Sequence, residues 1–384
     1  MPERSRDRRQ SKKKMNNYYD YSLLLLTIFL SCFGLVMIFS TSSYTAQVKF
    51  SDSAYFLKKQ LVAVVIGIIA MIAVSKIDYH IYIKKLPVIH MKLVTAIYIA
   101  ALILQMYVSF FGMKINGARR WISLGPFGTF QPSELSKIAA VLFVAYVVNV
   151  LPKSLNRVGG FVRVMVFIAP LIALIAKENL STALVVSAIS VGICFVASKK
   201  KWYYFFFGIL FALLVGAYIL LGDQFRSVRI QVWLDVENHS QGFQILQGLY
   251  AIASGGIFGT GLGNSMQKLG FIPESHNDMI FSIICEELGL FGAVAVILLF
   301  VLLIWRLFII SINAPDLYGG LICTGILIHI AVQVVINIAV VSNSIPSTGI
   351  PLPFISYGGT SIAILLAEMG VALSVSNQIR SERA

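Results

Sequence analysis

Apolar runs of bilayer-crossing length recur along this chain, at about 21–40, 60–75, 93–112, 134–151, 161–176, 180–198, 202–221, 279–305, 318–341 and 355–376. A helix needs about 20 mainly apolar residues to cross the hydrocarbon core. Backbone N–H and C=O groups in lipid must bond within the protein, so a span is a helix or a strand of a closed barrel. The alternation that marks barrel strands is missing from the sequence. The fold expected is therefore an all-α polytopic integral membrane protein with about ten transmembrane helices. Composition agrees, with 58% hydrophobic and only 12% charged residues among 384, outside the range of soluble domains.

The net charge of +14 would suggest nucleic acid in a soluble protein. Here it marks loops facing the anionic cytoplasmic leaflet, and membrane lipids rather than nucleic acid are the expected partners. The tail 1–20 carries Arg4, Arg6, Arg8, Arg9, Lys12, Lys13 and Lys14 and reads as disordered and cytoplasmic. No small-residue cleavage site clearly follows the first apolar run, so that run is expected to stay as a span. Lys76, Lys84, Lys85, Lys92, Lys153, Arg157, Arg163, Lys199–Lys201, Arg306 and the 377–384 tail fall on the same side. The spans make a transmembrane domain over 21–376, and 223–278 becomes a large extracellular loop between helices 7 and 8. Arg119, Arg120, Lys137, Arg226, Arg229 and Lys268 are left outside or in spans and need an explanation. The four cysteines all lie in apolar runs without a CxxC pair, which indicates neither a zinc site nor a disulfide frame.

Acidic residues crowd against a membrane-length segment in 255–291, where Glu274, His276 and Asp278 stand two apart and Glu286 and Glu287 follow in apolar sequence. A carboxylate at a water–hydrocarbon border is costly and so a functional candidate. The alternative for Asp278 is a helix cap before Met279. Three ligands so close in sequence rarely make a closed zinc site. A weakly held Mg²⁺ or other divalent cation, bound partly by substrate phosphates, is easier to accommodate. No dedicated metal-ligand set is assigned.

Residues 114–137 read KINGARRWISLGPFGTFQPSELSK. Asn116-Gly117 marks a turn, and the apolar residues after it are too few to span, which suggests a re-entrant or interfacial segment. Arg119 and Arg120 suit a diphosphate, although Trp121 also suits an interfacial anchor. Pro132 opens a helix with Glu134 in its first turn. Lys137, one turn further, needs an anion or must reach the interface. In 241–263, Phe243, Leu246 and Tyr250 share a helix face that fits the membrane surface. Glycines follow that no strand precedes, so a nucleotide fingerprint is not indicated, and they serve either flexible backbone near a lipid substrate or simple loop flexibility. Prolines and glycines in 342–361 prohibit a continuous helix, and the segment is either a packed plug or a substrate contact. His329 and Glu368 are read as interhelical hydrogen-bond partners.

Together NGARRWI, QPSELSK, GLGNSMQKLGFIPESHNDMIFSIICEELG and NIAVVSNSIPSTGIPLPFISYGGTS resemble the SEDS family (shape, elongation, division and sporulation), typified by FtsW, RodA and SpoVE. The resemblance covers 21–378 and is strongest to the division and sporulation branch. It implies a peptidoglycan glycosyltransferase that polymerises lipid II on the outer face of the bacterial cytoplasmic membrane. It implies Asp278 as the essential acid, and Arg119, Arg120, Trp121 and Lys137 as functional residues. Glu274 and His276, flanking that acid, are taken as substrate-binding candidates. The implied partners are lipid II, a class B penicillin-binding protein transpeptidase and divisome components. Asn277 stands where many members have Thr, and 178–182 reads ENLST where many carry an additional Asp. A lipid II flippase, a RodA-type elongation polymerase and a recruiting scaffold are the alternatives.

The charge bias makes a topological prediction. In a background without reactive native cysteines, cysteines placed at 236 and 347 label from outside intact cells and one at 200 does not. Labelling at 200 with none at 236 reverses the orientation.

Overall fold

A computed structural model describes residues 16–87, 90–115, 118–123, 125, 129–220 and 224–381. The basic residues 1–15, the Asn116-Gly117 turn and residues 382–384 lie outside the described residues, as does the Arg226 side chain. In chain order, β1 (Asn16–Tyr18) leads to α1 (Tyr21–Phe50), α2 (Tyr55–Ser75) and α3 (Leu93–Phe111). Three short strands follow: β2 (Met113–Ile115), β3 (Ala118–Ser123) and β4 (Thr129–Phe130). Then come α4 (Pro132–Val150), α5 (Val158–Glu178), α6 (Leu180–Ala197) and α7 (Trp202–Leu220). Two shorter helices, α8 (Gln224–Leu234) and α9 (Phe243–Gly255), precede α10 (Ile280–Asn313), α11 (Leu317–Val341), α12 (Gly359–Ser376) and β5 (Ile379–Ser381).

Nine helices among the described residues, α1 to α6 and α10 to α12, are long and apolar enough to cross a bilayer. α7, a 19-residue apolar helix, stands where the sequence places a further span. The chain is thus an almost wholly helical polytopic membrane protein. Several bounds differ from expectation because helical hydrogen bonding continues after hydropathy ends. α1 runs on through Gln47 and Lys49 to Phe50. α2 begins at Tyr55 and takes Lys58 and Lys59 into its first two turns, so the span expected to be short has 21 residues. α12 begins only at Gly359, since Pro351 and Pro353 deny the preceding segment backbone donors.

Both ends of the described chain lie at one end of the bundle, where β1 pairs antiparallel with β5. Buried Asp20 caps α1 at the Leu23 N–H and pairs with Arg306 at 2.6 Å. The connections before α4 and α10 lie at the opposite end.

α10 is two helices joined at Gly289, whose φ of 64° and ψ of −164° lie in a region open essentially to glycine alone. A Cβ there would fall 2.3 Å from the Gly259 nitrogen and 2.5 Å from the Ile257 oxygen. The break frees polar backbone in an apolar setting, and the 256–261 loop takes it up. Thr260 and Gly261 donate to the Glu286 and Glu287 carbonyls at 2.9 and 3.0 Å. Leu290 and Phe291 donate to the Gly256 and Ile257 carbonyls at 2.9 and 3.2 Å. Side chains fix the rest of the loop. Glu286 accepts from the Ser265 hydroxyl and the Met266 N–H, and Glu287 accepts from Lys268 Nζ and Ser40 Oγ, both at 2.7 Å.

Lys268 and Glu287 are 5% and 0% exposed, so removing one partner strands a buried charge. Lys268→Met is expected to lower stability by about 3–5 kcal/mol. The double change Lys268→Met with Glu287→Leu should recover much of that loss. Denaturant unfolding in detergent checks both, and an unchanged midpoint for Lys268→Met refutes the anchoring role.

Candidate active site

Asp278 lies two residues before the start of α10, and it does not cap that helix. Met279 occupies the cap position and no side-chain capping bond is made there. The residue as a whole is half-buried. A Cβ at Gly349, which has φ +68°, would lie 3.7 Å from Asp278 Oδ2, so glycine lets the backbone approach the acid. Burial, then the charge of Glu274, push the Asp278 carboxyl above the usual range, against local backbone N–H groups and the cation of Arg229.

The 342–358 segment holds this arrangement. Ile350, Leu352, Phe354 and Ile355 are all buried, so the segment is a packed plug rather than a surface loop. Asn337 of α11 donates to the carbonyls of Asp278 and Ile350, each at 2.8 Å. Ser356 donates to the Asn277 carbonyl at 2.7 Å, and the Tyr357 N–H to the His276 carbonyl at 2.9 Å. Arg229 Nη1 donates to the Ser347 carbonyl at 3.0 Å and Trp233 to that of Asn343 at 2.9 Å. The plug thereby fixes the acid on one side and α8 on the other.

Gly349 and Ile350 also line a small pocket of about 30 Å³ beside Glu134, Lys137, Asn179 and Gln333. That volume is of the order of one or two waters. Lys137 is 2% exposed. Its Nζ pairs with Glu134 at 2.9 Å and donates to Gln333 at 3.3 Å. The i, i+3 spacing gives this buried cation an acidic partner on its own helix at the mouth of the bundle.

Arg119, Arg120 and Trp121 lie on β3, the middle strand of a small antiparallel sheet, where an interfacial segment was expected. Met113 pairs with half-buried Trp121. Glu178 binds this strand, accepting from the Arg119 N–H at 2.9 Å through its carboxylate and from Arg120 Nε at 2.7 Å through its carbonyl. Exposed Arg119 donates its Nη1 to the Phe110 carbonyl at 2.6 Å. Burial, then the like charge of Arg229, loosen the proton of Arg120. Arg229 is in turn within electrostatic reach of Asp278. A cationic line from β3 through α8 to the acid results.

Glu274 and His276 do not converge with Asp278 into a ligand set. Glu274 is exposed and accepts from Asn277 at 2.8 Å. The His276 ring packs against Phe56 and Tyr357, with centroids 4.4 and 5.5 Å away. Burial, then the charge of Lys49, push its pKa down to about 4. Among the described residues no three His, Cys, Asp or Glu side chains are placed to hold a metal ion. Sequence reasoning left Arg229 as an unexplained cation and passed over Asn337 and Gly349 as site residues. The clue for Arg229 was a cation in the region expected outside.

A multi-pass helical membrane protein with a half-buried aspartate and several cations at one end of its bundle is the class these features define. The sequence pattern of FtsW, RodA and SpoVE, described as cell cycle protein, matches residues 21–381. The chain belongs to that family. It is 39% identical over 370 residues to stage V sporulation protein E of Bacillus subtilis (strain 168), covering 94% of this chain and 98% of that protein. A Geobacter sp. (strain M18) protein named probable peptidoglycan glycosyltransferase FtsW is 37% identical over 368 residues, covering 94% and 98%. The fold matches a chain from a solved peptidoglycan synthase complex, studied for structural coordination of polymerization and crosslinking. That match has a TM-score of 0.77 at 29% identity and covers 93% of this chain and 97% of the other.

The burial of Asp278 is open to direct titration. The infrared carboxyl C=O band missing from Asp278→Asn should titrate above the usual aspartate range. Arg229→Gln should move that midpoint further up, because it removes the charge that favours the anion. A midpoint at the usual value, unmoved by Arg229→Gln, refutes the burial.

Proposed function

We propose that this protein is a peptidoglycan glycosyltransferase that polymerises lipid II into glycan strands for cell division. It would act at the outer face of the bacterial cytoplasmic membrane with both termini in the cytoplasm. The observation that carries this function is the Asp278 carboxyl, pushed toward its neutral form beside Gly349 and the Lys137 pocket, with Arg229 and Arg120 in electrostatic reach. Similarity to proteins named probable peptidoglycan glycosyltransferase supports it.

In this reaction the acceptor hydroxyl loses its proton to Asp278. The oxygen attacks the anomeric carbon of the donor sugar, and the bond from that carbon to the diphosphate breaks. The electron pair leaves on the lipid diphosphate. A base with a raised pKa is closer to the operating pH and so better matched to that proton. Negative charge grows on the leaving group, where Arg229, Arg120, Arg119 and Lys137 can offset it. Trp121 is assigned to the interfacial part of the substrate, and Glu274 and His276 to the acid's surroundings. One carboxylate and a diphosphate leaving group suit a single displacement with inversion. A 30 Å³ pocket admits water but no sugar, so the disaccharide would dock at its mouth. Mg²⁺ or another divalent cation would be held mainly by phosphate oxygens, with exposed Glu274 the protein carboxylate open to it.

The proposed partner is a class B penicillin-binding protein transpeptidase, with other divisome components. The fold match to a chain of a peptidoglycan synthase complex supports this. A RodA-type elongation polymerase would use the same chemistry. Lipid II transport, the alternative function, needs a polar path through the bundle, whereas the polar row His329, Gln333 and Asn337 on α11 is buried and bonded to Glu368, Lys137 and the Asp278 and Ile350 carbonyls.

One assay separates polymerisation from transport: polymerisation of lipid II by purified protein, with and without the transpeptidase. Wild type is expected to make polymer, faster with the partner. Asp278→Asn should lose about 10²- to 10⁴-fold in rate while still binding lipid II. Asp278→Glu should fall between them, since a misplaced base alone costs about 10²-fold. Arg120→Ala and Arg229→Ala should each weaken lipid II binding by about 1.5–3 kcal/mol. Full activity in Asp278→Asn refutes the base assignment. Lipid II transport without polymer from wild type favours the flippase.

A further inference from the structure

A second cationic feature lies at the opposite end of the bundle from Asp278. α4 runs from Lys137 at the candidate site to Val150 at the end that holds β1 and β5. There, between the connection after α4 and the start of α5, is a cavity of about 510 Å³. Its lining is Lys153, Ser154, Arg157, Gly159, Gly160 and Arg163, three cations and no carboxylate. The turn after α6 is fastened to the same rim. Ser198 Oγ donates to the Leu155 carbonyl at 3.0 Å, and the Lys199 N–H to Asn156 Oδ1 at 3.1 Å. This brings the exposed Lys199, Lys200 and Lys201 beside the cavity.

Arg163 is the informative residue. It is exposed in the second turn of an otherwise lipid-crossing helix, where a cation requires an anion or water. Around it the helix face is apolar. Val158, Val162 and Val166, spaced to lie above one another, are 38%, 39% and 62% exposed. Arg163 is followed one turn later by exposed Phe167. On the neighbouring helix Trp202, Phe205 and Phe206 are also exposed. The cavity mouth is therefore continuous with an apolar strip that runs about 12 Å along α5, at 1.5 Å per residue.

We propose that this cavity binds the phosphate headgroup of an anionic phospholipid, with the acyl chains lying along Val158, Val162 and Val166. Arginine pairs with phosphate oxygens in a forked geometry, and basic pockets between membrane helices suit such headgroups. The cavity volume falls in the range of small-ligand sites. A free phosphate would find the same cations but would leave the apolar strip unused.

The test uses the full chain in lipid nanodiscs. Retention of phosphatidylglycerol and cardiolipin is followed by native mass spectrometry, with phosphatidylcholine as the neutral control. Each charge-assisted contact to a phosphate oxygen is worth on the order of tenfold in binding. Lys153→Gln/Arg157→Gln/Arg163→Gln should therefore lower anionic-lipid retention at least tenfold. The same number of charges removed at Lys76, Lys84 and Lys85 should leave it within about twofold. Gly159→Asp is a second variant that deletes no contact. A Cβ there meets nothing within 4 Å, and the new carboxylate should abolish retention while the Tm in phosphatidylcholine stays at the wild-type value. Inorganic phosphate should not compete. Equal retention by wild type and Gly159→Asp overturns the proposal, as does equal loss in the control triple variant. Displacement by inorganic phosphate would assign the cavity to a soluble anion and overturn it as a lipid site.

Discussion

A polar group in hydrocarbon has to find its partner inside the protein, and in this fold the demand falls hardest on α10. Its helix breaks at Gly289. Each unsatisfied backbone group at that depth would cost several kcal/mol. The 256–261 loop removes the cost with four backbone hydrogen bonds across the break. Glu286 and Glu287 secure the loop that follows by accepting from Ser265, Met266, Lys268 and Ser40. The glycines of this region serve close backbone contact, and the paired glutamates serve loop docking. Neither feature needs a substrate to explain it. Once the loop is fixed, the path of 262–278 over the end of the bundle is restrained, and so is the point where Asp278 enters.

α11 supplies the second restraint. His329, Gln333 and Asn337 recur every four residues and are each nearly inaccessible. They meet, in order, Glu368 on α12, Lys137 on α4 and the carbonyls of Asp278 and Ile350. A one-sided polar row on a buried helix fixes that helix's rotation, because turning it would strand all three side chains in apolar surroundings. The same row therefore sets the relation between the acid and the lysine. The plug at 342–358 fills the remaining gap with apolar residues and presents its backbone carbonyls to Arg229, Trp233 and Asn337.

The spans were legible because twenty apolar residues in sequence have few alternatives to a membrane helix. Their bounds were less so, because Lys49, Lys58 and Lys59 continue helices that hydropathy alone would end. The break at Gly289 was hidden since glycine is common in membrane helices, and only the 256–261 loop shows why it is needed. Asp278 stood out as an acid at an apolar border, but its cap alternative depended on where α10 begins, which a residue or two decides. Glu134 and Lys137 were visible as separate charges. Their pairing was readable from the i, i+3 spacing, whereas the contact with Gln333 joins residues 196 apart in sequence. His276 looked like a companion to the acid, yet its ring meets Phe56, a contact that no local pattern carries.

Burial explains both the cost of Asp278 and the use proposed for it. Taking a carboxylate out of water favours its protonated form, and the nearby charge of Glu274 acts in the same direction. Unopposed, these effects would raise the pKa further and favour the neutral form at the expense of the proton-accepting carboxylate. Arg229 and the local backbone N–H groups act in the other direction, leaving the pKa raised but opposed. Arg229 is itself held by the Ser347 carbonyl of the plug, and Asn337 joins the Asp278 backbone to Ile350 of the same plug. The acid and its counter-cation are thus placed by one segment. Any rearrangement of 342–358 that moved Arg229 away from Asp278 would raise the affinity of the carboxylate for its proton. The proton-accepting capacity proposed for this site is consequently a property of how the plug packs, and not of the loop that carries the aspartate alone.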